Sequence, residues 1–207
     1  MNEHDRDDWI QRYIKRFEEH GLSPESLGWG GGRERQARRF KASYEFNLFY
    51  STKVNSILDV GCGFGDLGVW LSEIDPQIQY RGIDINPVLI EQGKERYNLD
   101  LQLIDVSNVP DKSVDLVVAN GIFNYRMKHE EHEGYIINMI SHFFRIARKG
   151  VAVDFMSTYV DFMHDNSFHC PESFIVNLVK KYTKRYILRN DYLDYEYMVY
   201  GILPEKK

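Results

Sequence analysis

Apolar and polar positions follow two regimes along the chain. Between residues 5 and 20, Trp9, Ile10, Tyr13, Ile14 and Phe17 recur at helical spacing with charges between them, which predicts an amphipathic helix. "HGLSPESLGWGGG" (20–32) breaks that pattern with glycine, serine and proline, and a second helix is expected over 33–50. From residue 55 onward, short β-rich runs alternate with helical ones. "NSILDV" (55–60), "YRGIDI" (80–85), "LQLIDV" (101–106), "VDLVVANG" (114–121) and "GVAVDFM" (150–156) read as strands. The run at 114–121 is almost continuously apolar, as a central parallel strand should be. Residues 66–73, 86–97, 135–147 and 171–182 read as the helices between and after them, with Asn86 and Pro87 placed to cap and open the helix at 86–97.

Strand–helix alternation predicts an α/β fold, a Rossmann-like, mostly parallel sheet with helices on both faces. The tail, "RYILRNDYLDYEYMVYGIL" (185–203), predicts two strands in an antiparallel hairpin at one edge. At 207 residues the chain is expected to be one domain, residues 1–50 forming a helical N-terminal cap on a core of 51–207.

Composition narrows the function classes. A net charge of −5 disfavours a nucleic-acid partner, although "RERQARRFK" (33–41) is a local basic stretch. Neither Cys62 nor Cys170 belongs to a CxxC pair, so no zinc site or disulfide framework is indicated, and free thiols suit a reducing cytoplasm. The charged start "MNEHDRDDWIQRY" lacks the apolar stretch of a secretory signal, and no apolar run is long enough to span a membrane.

The chemistry concentrates at "ILDVGCGFGDLG" (57–68). A strand, a glycine-rich turn and a helix bring the backbone close to a ligand at the carboxyl end of a sheet. Gly63, Gly65 and Gly68 match a dinucleotide fingerprint, whereas Gly61, Gly63 and Gly65 match a second template, so spacing alone does not choose. The acids on either side help. Asp59 and Asp66 would repel a pyrophosphate but attract a cation, and S-adenosylmethionine carries both a sulfonium and an ammonium. The plainer alternative has Asp59 bonding its own loop and Asp66 capping the helix. Asp84 in "GIDINP" stands at a strand end, where a carboxylate can accept both ribose hydroxyls of an adenosine. Asp105 in "LIDVSNVP" is a candidate for the adenine amino group, with the Val106 N–H and the Ile85 side chain beside the ring.

Taken together, these stretches resemble the class I S-adenosylmethionine-dependent methyltransferases. "ILDVGCGFGDLG", "GIDINP", "LIDVSNVP" and "VDLVVANGIFNY" are similar to four successive motifs of that family over residues 55–157, and "EYMVYGIL" resembles its last strand. The resemblance implies a seven-stranded sheet with the final strand inserted antiparallel. It also implies cofactor contacts from Asp59, Gly61, Cys62, Gly63, Gly65, Asp84, Ile85, Asp105, Val106 and Asn120. Arg39 or Arg33 is the candidate for the methionine carboxylate, because a guanidinium can bind a carboxylate with two parallel bonds. "HGLSPESLGWGG", "RERQARRF", "ANGIFNY", "STYVDF" and "YLDYEYMVY" resemble a narrower group of small bacterial methyltransferases, which supplies no acceptor.

Methyl transfer from a sulfonium demands alignment and dryness, and a hydroxyl acceptor also needs a general base. Candidates for that base are His129 in "KHEEHEG" (128–134), with Glu130, Glu131 and His132 beside it, and Asp154 and Tyr159 in "DFMSTYVDFMHD" (154–165), with Asp161 and His164. No third metal ligand accompanies the histidines, so no metal is expected. Aromatic residues, 14% of the chain, suit walls around a small organic acceptor as well as an ordinary core. The expected protein is a cytoplasmic monomer or homodimer that methylates an oxygen or nitrogen of a small molecule, with no nucleic-acid or membrane partner. An NAD-dependent oxidoreductase and a non-catalytic S-adenosylmethionine-binding module remain the alternatives.

Overall fold

The computed structural model describes residues 1–51, 53–129 and 131–204. In chain order the elements are α1 (Glu3–His20), α2 (Gly32–Tyr44), β1 (Ser56–Val60), α3 (Asp66–Ile74), β2 (Gln79–Asp84), α4 (Pro87–Arg96), β3 (Leu101–Leu103), β4 (Val114–Ala119), α5 (His132–Ile146), β5 (Ala147–Met156), α6 (Glu172–Val179), β6 (Arg185–Arg189) and β7 (Glu196–Ile202). The seven strands form one sheet in the order β3-β2-β1-β4-β5-β7-β6. The first five pair in parallel, and β7 runs antiparallel to both β5 and β6. The C-terminal hairpin therefore sits at one edge, with the last strand inserted between β5 and β6, as expected.

Every residue of β1, β4 and β7 is buried, yet the strands still sort their side chains by alternation. Leu58, Val60, Val117, Ala119, Val151, Val153, Tyr197 and Val199 pack on one face with α5 and α6. Ile57, Leu116, Val118, Ala152, Met198 and Tyr200 pack on the other with Phe40 of α2, Leu67 and Leu71 of α3, and Phe46. Continuous apolarity in β4 thus reflects cover on both faces.

Several boundaries differ from the expected ones, three of them for a clear local reason. The helix expected over 33–50 ends at Tyr44 and continues as a 3₁₀ turn over Glu45–Phe49, which buries Phe46. The strand expected over 101–106 stops at Leu103, because the Asp105 side chain accepts the Ser107 N–H and turns the chain into a 3₁₀ turn over Val106–Asn108. β5 starts at Ala147, directly after α5, with no loop between them.

The N-terminal segment closes over the carboxyl ends of the strands. Asn2 caps α1 by accepting the Asp5 N–H. Asp5, 1% exposed, accepts the backbone N–H groups of Lys128 (2.8 Å) and His129 (3.2 Å) from the segment after β4. Asn86 donates to the Ile10 carbonyl at 3.2 Å, and Lys128 pairs with Asp8. Trp9 is buried edge-on against Tyr125 and Tyr135.

Removing the Asp5 carboxylate leaves two backbone donors without their acceptor. Asp5→Ala should destabilise the fold by roughly 2 kcal/mol, a fall in Tm of about 4–8 °C. Asp5→Asn keeps an accepting oxygen and should recover most of that loss in a thermal melt.

Candidate active site

The glycine loop is held by the end of β2. The Ile83 carbonyl accepts the N–H groups of Gly61 (2.8 Å) and Cys62 (3.1 Å), and Asp84 Oδ2 accepts the Gly63 N–H at 2.9 Å. Gly61 and Gly63 both adopt positive φ, +73° and +56°. A Cβ on Gly61 would drive into Ile122, and one on Gly63 would lie 2.8 Å from Leu27 of the roof. These two positions therefore need glycine both for backbone conformation and for close approach.

The loop forms one wall of a cavity of about 370 Å³ at the carboxyl ends of β1, β2 and β4. Asp59, Gly61, Cys62, Gly63, Asp84, Ile85, Asp105, Val106 and Asn120 all lie on its wall. Gly65 does not; it turns the chain into α3 at φ +89°. Trp9, Tyr13, Leu27 and Trp29 form the roof, and Ser107, Asn138 and His142 lie with Asp105 on the wall. Among the described residues, no lysine or arginine side chain lines it.

Electrostatics make this cavity unusual. Asp59 is 4% exposed and Asp66 is buried, and Asp84 faces the same space. Burial pushes the Asp59 carboxyl up to about 7, and the charges of Asp84 and Asp66 add to that push, while the Tyr80 hydroxyl, donating at 2.8 Å, opposes it. Burial likewise raises Asp84, against the amide donors of Asn86 and Gly63. Asp66 accepts from Gln36 Nε2 at 3.0 Å. Burial works against ionisation of Asp105 too, but the Ser107 hydroxyl and N–H hold it below the usual carboxylate range. Burial pushes the Cys62 thiol well up, which removes it as a nucleophile.

Arg39 lies away from the cavity wall. Its guanidinium is 4% exposed, grips Glu196 through Nε and Nη2, and sits 4.4 Å beneath the Trp29 ring. A carboxylate from 157 positions along the chain thus occupies the fork that the sequence suggested for a ligand. Arg33 is exposed.

The candidate bases separate cleanly. Tyr159 is 81% exposed, and His129 is exposed with its ring 5.7 Å from His4. Glu130 lies outside the described residues. His132 is buried and spends both ring nitrogens on the backbone: Nδ1 accepts from Met127 at 3.2 Å and Nε2–H donates to the Phe123 carbonyl at 2.9 Å. It stacks on Phe168 and fastens the segment after β4. Asp161 accepts from Tyr195 Oη at the surface. Asp154 alone is buried at a strand end beside the cavity, its Oδ1 accepting the Gly121 N–H at 2.6 Å.

Sequence reasoning missed Tyr80, Gln36, Tyr13, Leu27 and Trp29. A signal for Tyr80 existed: Tyr80, Gly82 and Asp84 alternate along β2 and share a face, and Gly82 leaves the space that the Tyr80 hydroxyl fills. The roof residues carry no comparable signal, because only tertiary packing brings them over the loop.

A methyltransferase domain family matches residues 57–150. A protein of Mycobacterium tuberculosis named as a methyltransferase is 28% identical over 151 residues, covering 70% of this chain and 90% of that protein. Among solved structures, magnesium protoporphyrin IX methyltransferase from Synechocystis PCC 6803 with bound SAM aligns with a TM-score of 0.67 at 14% identity, covering 96% of each chain. The plantazolicin methyltransferase BpumL, in complex with SAH and a desmethylated plantazolicin analogue, aligns with a TM-score of 0.65 at 14% identity over 95% of this chain and 98% of that one.

The buried acids have a consequence for the ligand-free protein. Folded Asp59 keeps its proton up to about pH 7, whereas an unfolded chain releases it near pH 4. The folded state binds more protons across that window, so its stability falls as pH rises through it and stays reduced above it by roughly 4 kcal/mol. Asp59→Asn should therefore raise Tm at pH 8 and change it little at pH 4. Parallel melting curves of the two proteins across that range would contradict the electrostatic account.

Proposed function

The chain is a class I S-adenosylmethionine-dependent methyltransferase, and from that premise we propose that it methylates an oxygen or nitrogen of a small-molecule acceptor by in-line displacement. The observation that carries this reading is a glycine-walled cavity with four carboxylates, those of Asp59, Asp66, Asp84 and Asp105, and, among the described residues, no lysine or arginine on its wall. Such a site favours a ligand bearing cationic groups over a pyrophosphate.

S-adenosylmethionine supplies a methyl group already activated on a sulfonium. The residues present suit it. In this reading, Asp84 keeps lone pairs for the ribose hydroxyls beyond those its two backbone amides use, and Ile85 and Val106 flank the adenine. Asp105 takes the adenine amino group. Gly61, Cys62 and Gly63 pass along the amino-acid portion, with Asp59 and Asp66 setting a negative potential there. Asn120 stands where the methyl group would emerge. Trp9, Tyr13, Leu27 and Trp29 exclude water, so that the acceptor and not solvent meets the methyl carbon. Residues 1–50 act as a cap on the 51–207 core within one domain. The two buried free thiols, Cys62 and Cys170, extend the reading to a reducing cytoplasm.

Calorimetric titration with S-adenosylmethionine, S-adenosylhomocysteine and NAD tests the reading. Both sulfur nucleosides should bind in the micromolar range and lose measurable binding in Asp84→Ala, while binding of NAD alone would overturn it. Because a cation prefers the ionised Asp59, S-adenosylmethionine affinity should fall as pH drops below about 7, by up to about tenfold per pH unit. That dependence should vanish in Asp59→Asn.

A further inference from the structure

Behind the Trp29 ring lies a polar cluster that does not line the cavity. Arg39, Asp154, Glu196 and Tyr192 converge there from α2, β5 and the hairpin. Three of their polar atoms are buried without a hydrogen-bond partner: Arg39 Nη1, Asp154 Oδ2 and the Tyr192 hydroxyl. Arg39 is 4% exposed and Asp154 1% exposed. Asp154 Oδ2 lies 3.8 Å from Arg39 Nε, too far for a hydrogen bond, while Oδ1 is committed to the Gly121 N–H. Buried polar atoms are almost always paired, so three unpaired ones in one cluster mark a place prepared for something polar.

Trp29 stands between this cluster and the cavity. Its ring lines the cavity on one side and covers the Arg39 guanidinium on the other. It also rests against Gly121, where any Cβ would collide with it. Glycines flank the tryptophan in "LGWGGG", and Gly28 and Gly31 both sit at positive φ, +80° and +82°. A backbone of that kind can carry the ring aside at low cost.

We infer that the Arg39–Asp154–Glu196–Tyr192 cluster is the polar head site for the acceptor, that Trp29 closes it off until the acceptor enters, and that the group it takes is a hydroxyl. The charges choose the hydroxyl. One guanidinium faces two carboxylates, with Arg35 only at the margin, 3.8 Å from Glu196. A carboxylate acceptor would add a third negative charge. An ammonium would meet the Arg39 cation and leave Nη1 without an acceptor. A neutral hydroxyl satisfies both sides, accepting from Arg39 Nη1 and donating to Asp154 Oδ2. Burial and the neighbouring Glu196 charge raise the Asp154 carboxyl against the pull of Arg39, as suits a base that must accept a proton. The acceptor's O–H proton passes to Asp154 Oδ2 as its oxygen bonds the methyl carbon, and the breaking C–S bond leaves its electron pair on sulfur. This inference rests on the methyltransferase reading above and narrows its acceptor to an alcohol or phenol.

The test uses protein saturated with S-adenosylhomocysteine and three probes of one shape: 4-methylphenol, 4-methylbenzoate and 4-methylbenzylammonium, each titrated by ligand-observed NMR. The phenol should bind at least about tenfold more tightly than either charged probe. Asp154→Asn, which still offers Gly121 an accepting oxygen, and Tyr192→Phe should each cut phenol affinity by about three- to tenfold while leaving S-adenosylhomocysteine affinity unchanged. Preference for a charged probe, no binding of the phenol, or phenol affinity unchanged in both variants overturns the inference alone. Failure of S-adenosylhomocysteine to bind at all overturns the cofactor reading and this inference with it.

Discussion

The end of β2 is the point on which the site depends. Ile83 and Asp84 together receive three amides of the glycine loop, and Asp84 receives a fourth from Asn86. Those bonds set the path of residues 61–63, and through it the start of α3 and the depth to which Leu27 of the roof can descend. A carboxylate is the right group for this work, because one side chain can accept several N–H donors at once and still present lone pairs to a ligand. The price is a buried negative charge that, among the described residues, no lysine or arginine side chain on the cavity wall offsets.

That charge is not isolated. Asp59 and Asp66 join it, and among the described residues the side chains that donate to them are a tyrosine hydroxyl and a glutamine amide. Neutral donors soften the desolvation of a carboxylate but do not cancel its charge. The cavity is therefore a region where the fold gives up stability that a cationic ligand would return. Sites that bind by such relief are expected to carry perturbed acids, and here the perturbation has a stated cause in burial and like charge.

Much of this was legible in the sequence, for a physical reason. The loop, Asp84 and Asp105 are each local, a strand end followed within a few residues by a turn, and chain alternation alone places all three strand ends at one edge of a parallel sheet. Asn86 as a cap was legible on the same ground, since its bonds reach only two and three residues ahead. Arg39 shows where locality fails. Its helix and its charge were evident, but its partner, Glu196, comes from the other end of the chain, and only the insertion of β7 beside β5 brings them together. Asp5 is a similar case: a charged residue in an amphipathic helix reads as solvated until the segment after β4 arrives to bond it. The shortened β3 came from a side chain, Asp105, competing with the ladder for the direction of the chain.

The family match covers 57–150, and that span holds the glycine loop, Asp59, Asp66, Asp84 and Asp105. Trp29 and Arg39 precede it, and Asp154, Tyr192 and Glu196 follow it. The division has a structural logic. The parts proposed to handle the nucleoside lie at the ends of β1 to β4, where one strand-end geometry suits one ligand. The polar cluster draws instead on the cap, the end of β5 and the C-terminal hairpin, elements that meet only because the last strand is inserted antiparallel between its neighbours. Glu196 opens that strand opposite Met156 and delivers its carboxylate to Arg39 on the cap. The same pairing that closes the sheet edge thus holds α2 down onto it, so that the cap and the polar cluster are positioned by one buried ion pair.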